Sequence, residues 1–269
     1  MIYTITVREG ACVAIKRKMD YIKFGNGTKK LVILPGLSVH SVLNFEASIK
    51  QAYHIFMEEY TVYVFDRARE IEEGYSIRDM SNDTAMAMKE LGLEDADVFG
   101  ASQGGMMGLC LAIDHPNLVN HLIVASSLAR TNKAASKVID QWIDFAKKKD
   151  EKSLLESFAC KVYSEATLAA CKDDIIKANR GISDEEYQRF IILARACKTF
   201  DCYAELTKIK AAVMVIGAKG DQVTTVEGSK EIAKALGCTS YLYDETYGHG
   251  VYDEASDFVE RCKAFLESC

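Results

Sequence analysis

The chain has 269 residues, of which 49% are hydrophobic and 27% are charged, and its net charge is −6. This length and composition are typical of one large soluble domain, with or without an insertion. The basic triplet Lys147-Lys148-Lys149 is short, and with the negative net charge it argues against nucleic acid as a partner. No apolar run reaches the roughly 18 residues of a membrane span, and the N-terminus lacks the pattern of a signal peptide.

The nine cysteines are scattered and include no C-x-x-C pair. That distribution favours free cytosolic thiols over disulfides or a metal site. We therefore expect a cytoplasmic protein that needs neither a metal nor another cofactor.

Strands and helices are predicted to alternate over the first half of the chain. Apolar and β-branched runs, separated by turn residues, predict strands at residues 2–7, 11–16, 20–24, 30–34, 61–65, 96–99 and 121–125. Apolar residues at steps of three and four predict helices at residues 41–59, 77–91 and 106–113. The second of these helices follows Ser76-x-x-Asp79, which resembles a capping box, and Gly92 is its expected C-cap.

The alternation of strands and helices stops between residues 129 and 206, where no strand is predicted. Helical patterns cover residues 132–148, 151–161, 165–178 and 184–200, and this block is too long for a loop. Strands return at residues 211–216 and 240–243, and a helix follows each of them. We predict an α/β protein with a doubly wound, mostly parallel sheet. Residues 1–128 and 207–269 form its core, and residues 129–206 form an inserted helical cap.

Gly100-x-Ser102-x-Gly104 stands between a predicted strand and a predicted helix. This spacing fits a nucleophile elbow, a sharp turn that lifts one hydroxyl out of the sheet. Glycines flank the serine because a Cβ in so crowded a turn would collide with neighbouring backbone. The alternative is a glycine-rich turn with an incidental serine.

A serine needs a base, and the base needs an orienting group. His249 lies between two glycines after the last predicted strand, where a ring can reach neighbouring strand ends. Asp221 follows a buried strand and lies between Ser102 and His249 in the chain, which matches one known order of catalytic triads. The alternatives are an exposed loop histidine and an aspartate that caps the next helix. Asp244, Glu245 and Asp253 are rival acids, interpreted as solvated.

Two backbone N–H groups are candidates for an oxyanion hole. Gln103 directly follows the candidate nucleophile, and Leu37 lies in the turn after residues 30–34. Gly36 allows that turn to approach a substrate closely. The alternative is a plain turn between a strand and a helix.

These motifs together resemble the α/β-hydrolase superfamily, in its single-domain form with a helical cap. The resemblance covers nearly the whole chain and depends on the order of Leu34-Pro35-Gly36-Leu37, Asp66-Arg67, Gly100-Ala101-Ser102-Gln103-Gly104-Gly105, Gly217-Ala218-Lys219-Gly220-Asp221 and Gly248-His249-Gly250. It implies Ser102 as nucleophile, His249 as base, Asp221 as its partner, and Leu37 and Gln103 as oxyanion donors. Many relatives have a histidine before the oxyanion glycine, where this chain has Leu34-Pro35.

The expected activity is hydrolysis of a small carboxylic ester through an acyl-enzyme. The same triad would serve C–C bond hydrolysis, amide hydrolysis or acyl transfer, and the same scaffold would serve a small-molecule receptor. Gly36, Ser38 and Trp142 are expected to contact the substrate. Several other aromatic residues of the cap are candidates for an apolar acyl pocket, or for packing of the cap onto the core: Phe145, Phe158, Tyr163, Tyr187 and Phe190.

Overall fold

The computed structural model describes residues 17–268, so the strands expected at residues 2–7 and 11–16 lie outside the described residues. Within this range the strands form one seven-stranded sheet in the order β1-β3-β2-β4-β5-β6-β7. Neighbouring strands are parallel except β1, which pairs antiparallel with β3. The strands are β1 Tyr21–Phe24, β2 Lys29–Leu34, β3 Tyr60–Phe65, β4 Ala96–Ala101, β5 Val119–Ala125, β6 Ala212–Ala218 and β7 Thr239–Tyr243.

Helices cover both faces of the sheet. Their bounds are α1 Glu46–Ala52, α2 Ile77–Glu90, α3 Gln103–Asp114, α4 Lys133–Lys147, α5 Glu151–Val162, α6 Glu165–Ala178, α7 Asp184–Lys198, α8 Thr225–Leu236, α9 Val251–Glu254 and α10 Phe258–Glu267. The doubly wound, mostly parallel sheet predicted from the sequence is confirmed.

Consecutive side chains of the central strands enter two different apolar layers. In β2, Val32 and Leu34 pack with α2 and α3, whereas Leu31 and Ile33 pack on the opposite face with α10. All four side chains are nearly inaccessible, as expected of a parallel strand covered on both faces. Because β2 to β7 run parallel, their carboxyl ends meet at one edge of the sheet, where ligands bind in such folds.

The four helices α4–α7, here called the inserted helices, lie between β5 and β6. Phe190 and Leu193 of α7 belong to the same buried apolar layer as α2 and α3. A capping box begins α2 at Ser76, as predicted, and another begins α7 at Ser183. The Asp79 and Glu186 carboxylates accept from the cap amides.

The helix predicted over residues 41–59 is wrong. The segment has a 3₁₀ turn at Val42–Phe45, then α1, then a second 3₁₀ turn at His54–Phe56. Tyr53, with φ −102° and ψ 19°, interrupts the helix. Its ring packs against Phe99 with centroids 6.0 Å apart, so tertiary packing overrides the helical periodicity here.

Over residues 17–268, no helix is long and apolar enough to cross a membrane. The same residues contain no cluster of three or more His, Cys, Asp or Glu side chains placed to hold a metal ion.

Candidate active site

Ser102 occupies the sharp turn between β4 and α3, with φ 52° and ψ −118°. Few non-glycine residues adopt a positive φ, and the surrounding contacts hold this one in place. The Ser102 amide donates to the Ala125 carbonyl at 2.8 Å, and the Ser127 hydroxyl donates to the Ser102 carbonyl at 2.7 Å. A Cβ on Gly104 would lie 1.8 Å from the Leu34 carbonyl oxygen. The glycine pattern therefore reflects a turn that permits no side chain at this position.

His249 and Asp221 form a buried pair beside this turn. The His249 Nδ1 lies 3.0 Å from the Asp221 Oδ2, and the two residues are only 3% and 6% exposed. Asp221 also accepts hydrogen bonds from the Val223 and Thr224 amides and from the Thr224 hydroxyl. Burial raises the pKa of Asp221, but the charge and hydrogen bond of His249 and the Thr224 and Val223 donors outweigh it and lower that pKa to about 2. An ionised Asp221 accepts a hydrogen bond from Nδ1–H of His249, and in that tautomer the neutral ring has no proton on Nε2.

Ser102 and His249 line one cavity of about 610 Å³. Among the described residues the Ser102 hydroxyl has no direct hydrogen bond to the His249 ring; such contacts commonly shorten only when substrate is present. Most of the wall is apolar and comes from the first 3₁₀ turn, α1, α4, α5 and α10, as Val42, Ile49, Leu155, Phe158 and Val259 illustrate. The cavity suits a small molecule with a largely apolar body.

The turn after β2 approaches the candidate nucleophile closely. A Cβ on Gly36 would lie 3.4 Å from the Ser102 Cβ, and both Gly36 and Leu37 line the cavity. Within residues 17–268, neither the Leu37 amide nor the Gln103 amide donates a hydrogen bond to the protein. Both N–H groups are thus available for a ligand oxygen.

Arg67 holds this turn in place, a role that its sequence position alone did not reveal. Its guanidinium donates to the Pro35 and Gly36 carbonyls at 2.5 and 3.0 Å and to the Gln103 side-chain oxygen at 2.8 Å. Burial lowers the pKa of Arg67 to about 10, so the group stays charged at neutral pH. One buried cation therefore joins the two segments that carry the candidate oxyanion donors.

The same network continues into the inserted helices. The Gln103 side-chain amide donates to the Leu193 carbonyl at 2.8 Å and lies 3.1 Å from the Cys197 Sγ. On the other side of the turn, His40 contacts the Glu186 carboxylate at 2.7 Å through Nδ1. These hydrogen bonds link α7 to Gln103 and to the turn after β2.

The three residues predicted to contact substrate, Gly36, Ser38 and Trp142, all line the cavity. The Ser38 hydroxyl donates to the His40 carbonyl at 2.7 Å, so it is already engaged. Trp142 packs against Phe158 with ring centroids 4.5 Å apart. Of the other aromatic candidates, Phe158 and Tyr163 line the cavity and Phe145, Tyr187 and Phe190 do not; these last three pack within the apolar layer.

Asp253 is exposed, as expected of the solvated acid predicted from the sequence, but its position beside the site was not predicted. It lies on α9, four residues after His249, and forms part of the cavity wall.

Known proteins agree with this architecture. A sequence model described as the alpha/beta hydrolase fold matches residues 30–256. The chain belongs to the α/β-hydrolase family. Hydrolases of this family use the carboxyl edge of such a sheet for their sites, which is where this cavity opens.

Among curated α/β-hydrolases, the chain is similar to the protein named "Putative carbamate hydrolase RutD" of Caulobacter segnis, with 29% identity over 205 residues that cover 72% of this chain and 73% of that protein. The Pseudomonas syringae pv. syringae protein of the same name is 22% identical over 225 residues, covering 80% and 86%.

Solved structures show the same fold. The α/β-hydrolase enzyme MGS-M2 from a Medee basin deep-sea metagenome library has a TM-score of 0.83 at 19% identity and covers 94% of this chain and 95% of its own. An esterase from Exiguobacterium antarcticum has a TM-score of 0.77 at 20% identity and covers 94% and 96%. The enol-lactonase from Burkholderia xenovorans LB400 also has a TM-score of 0.77, at 18% identity, covering 93% and 96%.

Proposed function

We propose that this α/β-hydrolase is a serine hydrolase that cleaves small carboxylic esters through an acyl-enzyme. The observation that carries the proposal is the shared cavity: a serine in a strained turn and a histidine bonded to a buried carboxylate open onto the same apolar space. A hydroxyl, an imidazole and a carboxylate in this order are the elements of nucleophilic acyl transfer.

The reaction has two halves in this proposal. In the first, the Ser102 Oγ bonds to the ester carbonyl carbon while the His249 Nε2 takes the hydroxyl proton. The oxyanion accepts hydrogen bonds from the Leu37 and Gln103 amides, and the alcohol then leaves with the proton from His249. In the second half a water repeats the attack on the acyl-serine, and the carboxylic acid is released. Asp221 keeps the Nδ1 proton in place throughout.

The inserted helices act in this scheme as a cap over the reaction. They supply Trp142, Phe158 and Tyr163 to the cavity wall, and they exclude bulk water from the acyl-enzyme. We place the protein in the cytoplasm, which the seven free thiols among the described residues support.

Carbamate hydrolysis is a second candidate, favoured by the name of the two relatives described above. A carbamate has nitrogen attached to the same carbonyl carbon that an ester presents. The identical nucleophile, base and oxyanion donors would therefore act on it, and only the leaving group and the acyl part would differ.

A fluorophosphonate probe tests the shared mechanism. It should label the wild type and fail to label Ser102→Ala, because the probe reacts with an activated serine. p-Nitrophenyl esters of graded chain length, together with a p-nitrophenyl N-alkylcarbamate, then separate the two candidate substrates by kcat/KM. An unlabelled wild-type protein would favour a receptor on the same scaffold.

A further inference from the structure

The cavity contains a carboxylate that the proposed reaction does not use. Asp253 lines the wall that also holds Ser102 and His249. Among the described residues, the only hydrogen bond to its carboxylate comes from the Tyr163 hydroxyl at 3.4 Å, and the carboxylate forms no ion pair with Lys or Arg. A carboxylate on the wall of a largely apolar cavity is partly desolvated, so a cationic partner would stabilise it.

Three tyrosines surround this carboxylate. Tyr53 follows α1, Tyr163 follows α5 and Tyr252 precedes Asp253 on α9, and all three line the cavity. The negative charge of Asp253 raises the pKa of each of the three hydroxyls, after the larger effect of burial. Aromatic rings beside a carboxylate are the groups with which proteins bind organic ammonium ions.

The charged groups near Asp253 leave it ionised at physiological pH. Burial raises its pKa to about 6, the hydrogen bond from Tyr163 opposes that rise, Glu254 adds to it and His249 counteracts it. The Glu254 carboxylate is already occupied, since it accepts from the Ser164 and Gly248 amides at 2.7 and 2.9 Å. Asp253 is therefore the acid of α9 that remains available to a ligand.

We propose that Asp253, with the three tyrosine rings, binds a cationic nitrogen of the substrate, so that the site selects esters bearing an ammonium group a few bonds from the scissile carbonyl. This inference rests on the proposed esterase function and names its substrate class. The ammonium would neutralise a carboxylate that the fold leaves unpaired, and the apolar remainder of the cavity would hold the hydrocarbon part.

Two isosteric esters test the proposal directly. Butyrylcholine and 3,3-dimethylbutyl butyrate have nearly the same shape and differ in one atom, a quaternary nitrogen in place of carbon. At pH 8 the wild type should hydrolyse the cationic ester with a kcat/KM roughly tenfold or more above that of the neutral ester. Asp253→Asn should bring this ratio close to one, because it removes the charge that distinguishes the two esters.

Glu260→Gln is the matched control, because it removes one exposed negative charge from α10 and should leave the ratio unchanged. The wild-type ratio should also fall as the pH is lowered from 7 to 5, since Asp253 becomes protonated. Any effect of pH that acts equally on the hydrolysis of both esters cancels in the ratio. A wild-type ratio near one, or a preference that survives in Asp253→Asn, overturns the proposal.

A second readout separates this inference from the esterase function. Choline binding to wild type and Asp253→Asn can be followed by titration calorimetry without turnover. If the fluorophosphonate probe fails but choline binds only to wild type, the ammonium site stands and the esterase proposal falls. If the probe labels the protein and choline binds both proteins equally or neither, the ammonium site is wrong.

Discussion

In the proposed mechanism the Ser102 hydroxyl gains its reactivity through His249, so the two residues should behave as one unit. Ser102→Ala and His249→Ala are each expected to lower kcat by several orders of magnitude. The double variant should lose little more, because removing either residue already disables the proton transfer. Steady-state kinetics on the preferred ester gives the kcat of the two single variants and of the double variant.

Circular dichroism of each variant provides the folding control for this comparison. Losses that add on a logarithmic scale would contradict a shared mechanism.

Asp221 is expected to link stability to pH. Its folded pKa of about 2 lies below its ordinary value of 3.8, so the ionised form stabilises the fold. This contribution, about 2 kcal/mol, is present above pH 4 and is lost as the pH falls towards 2. Urea unfolding at pH 5 and pH 2.5 should show the loss in wild type and a smaller change in Asp221→Asn.

Asp174→Asn, an exposed substitution on α6, is the control and should follow the wild-type pH dependence. A pH dependence identical in wild type and Asp221→Asn would show that the carboxylate has no such role.

The secondary-structure elements follow closely from local signals where those signals are strong. The inserted helices begin and end within about two residues of their predicted bounds, because N-cap side chains such as those of Asn132, Asp150 and Ser164 mark their starts. The broken segment around Tyr53 was missed, since its path is set by contacts with distant residues. The pairing of His249 with Asp221 was predicted from chain order, whereas the Arg67 network and the placement of Asp253 required coordinates.

The elbow between β4 and α3 depends on glycine, because there is no room for a side chain at position 104. Gly104→Ala places a methyl group into the Leu34 carbonyl, 1.8 Å away by geometry, so the strand and the helix must separate. We expect a loss of several kcal/mol in the free energy of unfolding, or failure to fold, together with loss of probe labelling. Urea unfolding and fluorophosphonate labelling measure the two effects.

Gly92→Ala is the matched substitution at the end of α2. Gly92 has a φ of +66° with open space around it, so a methyl group there costs only about 1 kcal/mol of backbone strain. Equal losses for the two variants would mean that crowding at the elbow is unimportant.

At the scale of the whole molecule, the inserted helices share an apolar layer with the sheet. Phe190 of α7 is fully buried in that layer, so Phe190→Ala should lower the free energy of unfolding by about 3–5 kcal/mol. Trp142 is the sole tryptophan of the chain and reports on the inserted helices. Its fluorescence and the far-UV circular dichroism should show one coincident transition in wild type and in the variant.

Phe145→Ala, at a partly buried position of α4, should lower the free energy of unfolding by less than Phe190→Ala does. Its fluorescence and circular dichroism transitions should also coincide. An earlier fluorescence transition would indicate that the inserted helices unfold on their own.

The left-handed backbone at Ser102 implies a trade-off between thermal stability and catalysis. A φ of 52° suits glycine better than serine, so Ser102→Gly would relieve strain of order 1 kcal/mol. Ser102→Gly should therefore have a higher Tm than the wild type and no hydrolase activity. Evolution towards thermal robustness would thus erase the hydroxyl, and only selection for turnover retains it.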